Sequence, residues 1–136
     1  MKTGISAKHL KHFYIDGSGE GPDGTGSGWA WIYVDKDKQQ IERLDGLTSN
    51  EAEYRALIGV LQYVSRGSSV LIFTDSALVA NQFSGKFRVN EPRLKKLLDE
   101  AKSLIHDRNL EVEVEWISRT ENLAGKLLDR QRSIHR

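Results

Sequence analysis

Three carboxylates stand out by position. Asp16 follows the aromatic run HFYI ahead of a glycine-dense stretch, Glu53 lies in TSNEAEYRAL, and Asp75 closes the apolar run VLIFTD. Hard divalent cations take carboxylate oxygens, so acids on three separate elements can converge on one cation site. A pair of ions held this way supports phosphodiester hydrolysis: one lowers the pKa of a water and the other holds the leaving oxygen. Two of the acids also have ordinary structural roles open to them. Asp16 can close an Asx turn over the glycines, and Asp75 can cap a following helix. Glu53 is harder to place. Leu57, Val60 and Val64 follow it along one helical row, so it heads the stripe that should face the interior. Glu51 points the other way and complements the helix dipole.

The elements that must carry these residues follow from hydrophobic period and turn signals. HFYI reads as a strand stopped by Gly17, GSGEGPDGTGSG as a turn, and WAWIYVD as a second strand. Residues 35–38 make a hairpin tip and QQIERLDG a third strand, so the first three strands form an antiparallel meander. From Thr48 the period becomes helical, with Thr48 or Ser49 as the cap and Gly67 beyond the end. SVLIFT has the continuous apolar character of a strand buried on both faces. A short helix through Asp75 to Phe83 follows, then a helix from about Pro92 to Asp107, VEVEWI as a fifth strand, and a last helix from near Glu121. The order β-β-β-α-β-α-α-β-α predicts an α/β fold with a five-stranded mixed sheet, three antiparallel strands then two parallel, flanked by helices. Trp29, Trp31 and Trp116 read as core or strand-pair aromatics.

The 136 residues suit one domain, 1–136, with its core at about 12–131 and flexible segments at 1–10 and 132–136. No apolar run is long enough to span a membrane, and the first residues lack the apolar centre of a secretory signal, so a cytoplasmic location is expected. The absence of cysteine excludes disulfides and thiol nucleophiles. Net charge is only +1, but Lys86–Lys102 carries six basic residues against three acidic, and Arg119–Arg136 five against two. Two such stripes can follow a phosphate backbone. A phosphate-binding loop is disfavoured because the glycines sit in a hairpin without GKS/T. A serine triad is disfavoured because His9, His12, His106 and His135 have no GxSxG context.

The strings YIDGSGEGPDGTGSGWAW, TSNEAEYRALIGVL, FTDSALVANQFSGKFRVNEP and WISRTEN, in this order, resemble ribonuclease HI in its compact form without the large basic protrusion. The resemblance runs from about His12 to Asp129. It implies the ribonuclease H fold and endonucleolytic cleavage of the RNA strand of RNA–DNA hybrids with two Mg²⁺ or Mn²⁺ ions. It makes Asp16, Glu53 and Asp75 metal ligands, with Asp16 as the bridge. Gly17, Ser18 and Asn50 are then placed at the minor groove, where 2′-hydroxyls mark RNA, and Ser76, Lys86, Arg88 and Arg119 become further substrate contacts. A monomer with no protein partner is expected.

One motif departs from the family. Its usual fourth acid, in a segment like NxxADxLA, meets Asn122-Leu-Ala-Gly-Lys126-Leu-Leu-Asp129 here. Strict spacing puts Lys126 in that position, while aligning the helix start puts Asn122 there. An amide oxygen can ligate a cation and a protonated lysine cannot, so Asn122 is favoured as fourth ligand, with Asp129 second. The family's mobile histidine is replaced in WISRTEN by Arg119 as the available polar group, and Ala77 stands where many members carry a polar contact. The alternative expectation is therefore a hybrid-binding module with weak or no catalysis.

Overall fold

A computed structural model describes residues 9–22 and 26–134, with side chains through residue 130. The elements are β1 (Leu10–Ser18), β2 (Gly28–Tyr33), β3 (Lys38–Arg43), α1 (Ser49–Tyr63), β4 (Ser69–Thr74), α2 (Ala77–Phe83), α3 (Pro92–Asp107), β5 (Glu111–Trp116) and α4 (Leu123–Ile134). Their order is the one the sequence predicts. The sheet runs β3-β2-β1-β4-β5. The β1–β2 and β2–β3 pairs are antiparallel, and β4 and β5 are added in parallel. Of the segments expected to be flexible, residues 1–8, 135 and 136 lie outside the described residues, as do residues 23–25 of the glycine turn.

Strand alternation divides the interior in two. Phe13, Ile15, Val70 and Ile72 point to the face covered by α1, where they meet Leu57, Val60, Leu61 and, from α3, Leu94, Leu97 and Leu98. On the opposite face Ala30 meets Ala124, Leu127 and Leu128 of α4, flanked by Tyr14, Ile32 and Ile41. The helix α1 begins at a capping box: Thr48 Oγ1 accepts from Glu51 N at 3.1 Å, and Glu51 Oε1 accepts from Thr48 N at 2.9 Å. This fixes the helix phase, turning Glu53 inward and leaving Glu51 at the rim.

One expectation needs correction. Gly17 does not stop β1; it pairs with Trp29, and the strand continues to Ser18. Glycine is needed there for close approach, because a Cβ would lie 2.3 Å from Glu53 N and 2.4 Å from Ala52 C. Asp16 is thus held inside a paired strand rather than at its tip. Of the two places open to the tryptophans, Trp29 and Trp31 take the interior, whereas Trp116 is 55 % exposed and pairs with Thr74 across β4 and β5. It ends the edge strand β5, and its indole N–H donates to the Asp75 carbonyl at 3.2 Å. Among the described residues no helix is long and apolar enough to cross a membrane.

Candidate active site

The sheet brings the three acids together. Asp16 comes from the central strand β1, Asp75 directly follows its parallel neighbour β4, and Glu53 comes from the second turn's start of α1, packed across β1. One carboxylate oxygen of each lies within 4.8 Å of the others. Asp16 and Glu53 are 2 % and 4 % exposed.

Each acid is oriented by its neighbours. Glu53 Oε2 accepts from Gly17 N at 3.0 Å, and Oε1 accepts from the Thr74 hydroxyl at 3.1 Å. Thr74 Oγ1 in turn accepts from Ser76 N at 3.0 Å, so one hydroxyl ties the end of β4 to the acid on α1. Thr74 was not singled out from the sequence; its only signal was a β-branched hydroxyl immediately before the acid in FTD. Asp75 is spared the capping role open to it, because Ser76 Oγ accepts from Val79 N at 3.1 Å and caps α2. Asp75 Oδ2 instead accepts from Asn122 Nδ2 at 3.0 Å and lies 3.6 Å from Arg119 Nη1.

The carboxylates are electrostatically frustrated as they stand. Burial, reinforced by the Asp75 charge, pushes Asp16 up from 3.8 to about 6, against the lowering effect of its hydrogen bond with Glu53. Burial, then the charge of Asp16, pushes Glu53 well above its ordinary 4.5. The hydrogen bond between them lowers Asp16 and raises Glu53. Asp16 Oδ1 is buried with no hydrogen-bond partner. An orphaned buried oxygen is unfavourable unless something binds it. Gly125 of α4 faces the same acid, where a Cβ would come within 3.2 Å of Asp16 Oδ2. Three converging carboxylates, one of them with an orphaned oxygen, and no side chain on Gly125 to crowd them, fit a hard divalent cation.

Asn122 is at this site, fully buried, but its oxygen is turned away from the acids. Oδ1 accepts from Ala124 N at 3.0 Å and Gly125 N at 3.4 Å, capping α4, while Nδ2 donates to Ile15 O at 2.9 Å and to Asp75. Rotating the amide by half a turn would set oxygen against two acceptors, so the orientation is fixed by its partners. Lys126 and Asp129, the other residues weighed for this position, are exposed on α4.

The remaining residues singled out from the sequence divide into two places. Gly17, Ser76 and Arg119 touch the carboxylates or their anchors, and Ser18 ends β1 opposite Gly28. Asn50 and Arg88 are brought together in the wall of an open cavity of about 530 Å³, with Gln82, Asn90 and Arg93. None of the three acids lines it. Lys86 is exposed in the loop between α2 and α3 that carries Arg88.

Comparison with known proteins agrees with this architecture. A family model described as reverse transcriptase-like matches residues 21–128. The Bifunctional protein Rv2228c of Mycobacterium tuberculosis is 38 % identical over 87 residues, 62 % of this chain and 23 % of its own length. The chain therefore spans about a quarter of that relative. Among solved structures, RNase H1 of the halophilic archaeon Halobacterium salinarum superposes with a TM-score of 0.74 at 25 % identity, covering 88 % of this chain and 93 % of its own. The N-terminal RNase H domain of Rv2228c gives 0.67 at 25 %, covering 93 % and 99 %. LC11-RNase H1, solved in complex with an RNA/DNA hybrid, gives 0.76 at 24 %, covering 91 % and 99 %. With a family model matched over most of its length and the sheet order and acidic cluster described above, the chain belongs to the reverse transcriptase-like family and has the ribonuclease H fold of RNase H1 proteins.

Proposed function

We propose that this protein is a metal-dependent endoribonuclease that hydrolyses the RNA strand of RNA–DNA hybrids. The observation that carries the reading is the convergence of one carboxylate oxygen each from Asp16, Glu53 and Asp75 within 4.8 Å, with Asp16 Oδ1 buried and partnerless. Bound Mg²⁺ or Mn²⁺, two ions with substrate, would activate the attacking water and stabilise the leaving oxygen. Asp16, on the middle strand β1, would hold the ions together with Glu53 and Asp75. Thr74 and Gly17 N hold Glu53 in place, and Asn122 Nδ2 holds Asp75. Positive charge at the site would oppose the upward shifts of Asp16 and Glu53 and favour their ionised forms. Asn122 contributes as a fourth member by orienting Asp75; direct ligation through Oδ1 would require it to release the α4 cap.

Substrate discrimination falls to the rim. Ser18 and Asn50 are suited to 2′-hydroxyls of the RNA strand, while Lys86, Arg88 and Arg119 are suited to phosphates. LC11-RNase H1 binds an RNA/DNA hybrid on the same fold, which supports this substrate class.

The test is a hybrid duplex labelled on the RNA strand, incubated with Mg²⁺, with Mn²⁺ and with chelator. Internal cleavage of RNA that needs a divalent ion and spares a DNA duplex is expected. Metal-independent cleavage, or equal cutting of the DNA duplex, refutes the reading. A second reading has one observation in its favour: the fourth acid position offers an amide whose oxygen is already used, and Lys126 beyond it. On that reading the protein binds hybrid without cutting it. Binding without cleavage at saturating Mn²⁺ distinguishes the two.

A further inference from the structure

Asp75 already has a cation. Arg119 Nη1 lies 3.6 Å from Asp75 Oδ2, and the carboxyl is 9 % exposed while the arginine side chain is 66 % exposed. The same oxygen accepts from Asn122 Nδ2 at 3.0 Å. Asp75 Oδ2 is therefore engaged by one neutral donor and one positive charge before any divalent ion arrives. Arg119 also opens the short 3-10 turn Arg119–Glu121 and is tied down at its backbone, where Asn122 N donates to its carbonyl at 3.2 Å. A long, mostly solvated side chain thus springs from a fixed base beside the acids.

Three physical consequences follow. A divalent ion held by Asp75 would carry like charge to the guanidinium and contest the same carboxylate, so the two would repel at close range. The ion pair is largely exposed on the arginine side, so little is lost when it opens. The released guanidinium is a planar fork of donors that matches phosphate oxygens and stays charged at every working pH.

We propose that Arg119 is a resident counter-cation displaced from Asp75 by the incoming divalent ion, and that displacement frees its guanidinium for a backbone phosphate of the bound strand. Metal loading and phosphate grip are thereby coupled through one side chain. The inference rests on the proposed hydrolytic function and adds an order to it: before the ion, Arg119 neutralises the site, and after it, Arg119 binds substrate. Lysine would retain the charge but not the fork.

The coupling has a signature of opposite signs. Divalent-ion affinity is measured on nucleic-acid-free protein by calorimetry with Mn²⁺, and half-saturation by hybrid in single-turnover cleavage. Arg119→Gln should bind Mn²⁺ about three- to tenfold more tightly, since a repelling charge is gone, and should need about three- to tenfold more hybrid for half-saturation, since a phosphate contact is gone. Arg119→Lys should keep metal affinity near wild type and recover hybrid half-saturation only in part. Unchanged or weaker Mn²⁺ binding by Arg119→Gln overturns the counter-cation role. Tighter Mn²⁺ binding with unchanged half-saturation overturns the coupling. A wild-type protein that binds Mn²⁺ but cuts no hybrid removes the hydrolytic reading and leaves the metal arm of the test standing, whereas one that binds no Mn²⁺ overturns both.

Discussion

Replacing Asp16 with Asn is expected to stabilise the metal-free protein while abolishing cleavage. Asp16 is raised from 3.8 to about 6, chiefly by burial. The folded state therefore favours its protonated form. This contribution to stability is fully present below about pH 4 and is lost as pH rises through about 6. Above about pH 7 the penalty is roughly two pKa units at 1.36 kcal/mol each, about 3 kcal/mol. Asparagine is neutral throughout and escapes it. Its amide must find an acceptor, and the neighbouring Glu53 carboxyl can supply one, so a net gain of about 1–3 kcal/mol is reasonable. For 136 residues that raises Tm by roughly 3–9 °C. Thermal unfolding in chelator at pH 8 and pH 4.5 is the assay, beside hybrid cleavage at saturating Mg²⁺. The gain should be full at pH 8 and fall to about a third of that at pH 4.5. A variant less stable than wild type at pH 8, an equal gain at both pH values, or near-normal cleavage would refute the reasoning.

Other substitutions probe the scaffold. Gly17→Ala forces a Cβ to within 2.3 Å of Glu53 N, so it should destabilise by at least about 3 kcal/mol in urea unfolding; wild-type stability would mean β1 and α1 are not this close. Glu53→Gln should lower turnover at least about a hundredfold, whereas Glu51→Gln, which keeps the capping box, should be near neutral; equal losses would contradict the helix phase. Removing Lys86 and Arg88 together should raise KM and flatten the salt dependence by up to about two units with little change in kcat, and a collapse of kcat alone would place them in catalysis or folding. Asn122→Asp should lower metal-free stability by about 2–5 kcal/mol, because a carboxylate replaces an amide that donates to Ile15 O and Asp75, with Mg²⁺ recovering part of the loss; an unaltered Tm in chelator would show that neither bond matters.

The sequence made the element order and the three acids legible because both are carried by local signals. Period changes mark the switch from strands to α1, and acids at the ends of apolar runs are conspicuous because burial penalises charge. What it hid depends on three-dimensional approach. Gly17 looked like a strand terminator because glycine is a common breaker, yet its role is to let the α1 backbone pass within contact of β1. Trp116 was open to a core or a strand-pair place; it takes the second, opposite Thr74, because an edge strand leaves its end uncovered. Asn122 was identified as belonging to the site, while the direction of its amide was not readable: that is set by Ile15 O and Asp75 on one side and the α4 amides on the other, partners up to 107 residues away.

The helix termini supply the strongest argument that the acids are kept for a cation. Each helix near the site is capped by a residue outside the cluster: α1 by Thr48 with Glu51, α2 by Ser76 and α4 by Asn122. None of the three carboxylates is therefore needed to satisfy a helix N-terminus, the commonest structural use of an acid at such a position. Burial instead raises the pKa of both Asp16 and Glu53, with the Asp16 charge adding to the rise of Glu53, and an oxygen of Asp16 is left without a partner. Capping and packing around them are satisfied, so the conflict lies in the acids themselves. Frustration of that kind is what a fold retains where a ligand relieves it. A divalent ion that binds only the folded state then returns stability as RT ln(1 + [M]/Kd), so a thousandfold excess over Kd adds about 4 kcal/mol, comparable to the penalty calculated for ionised Asp16 alone.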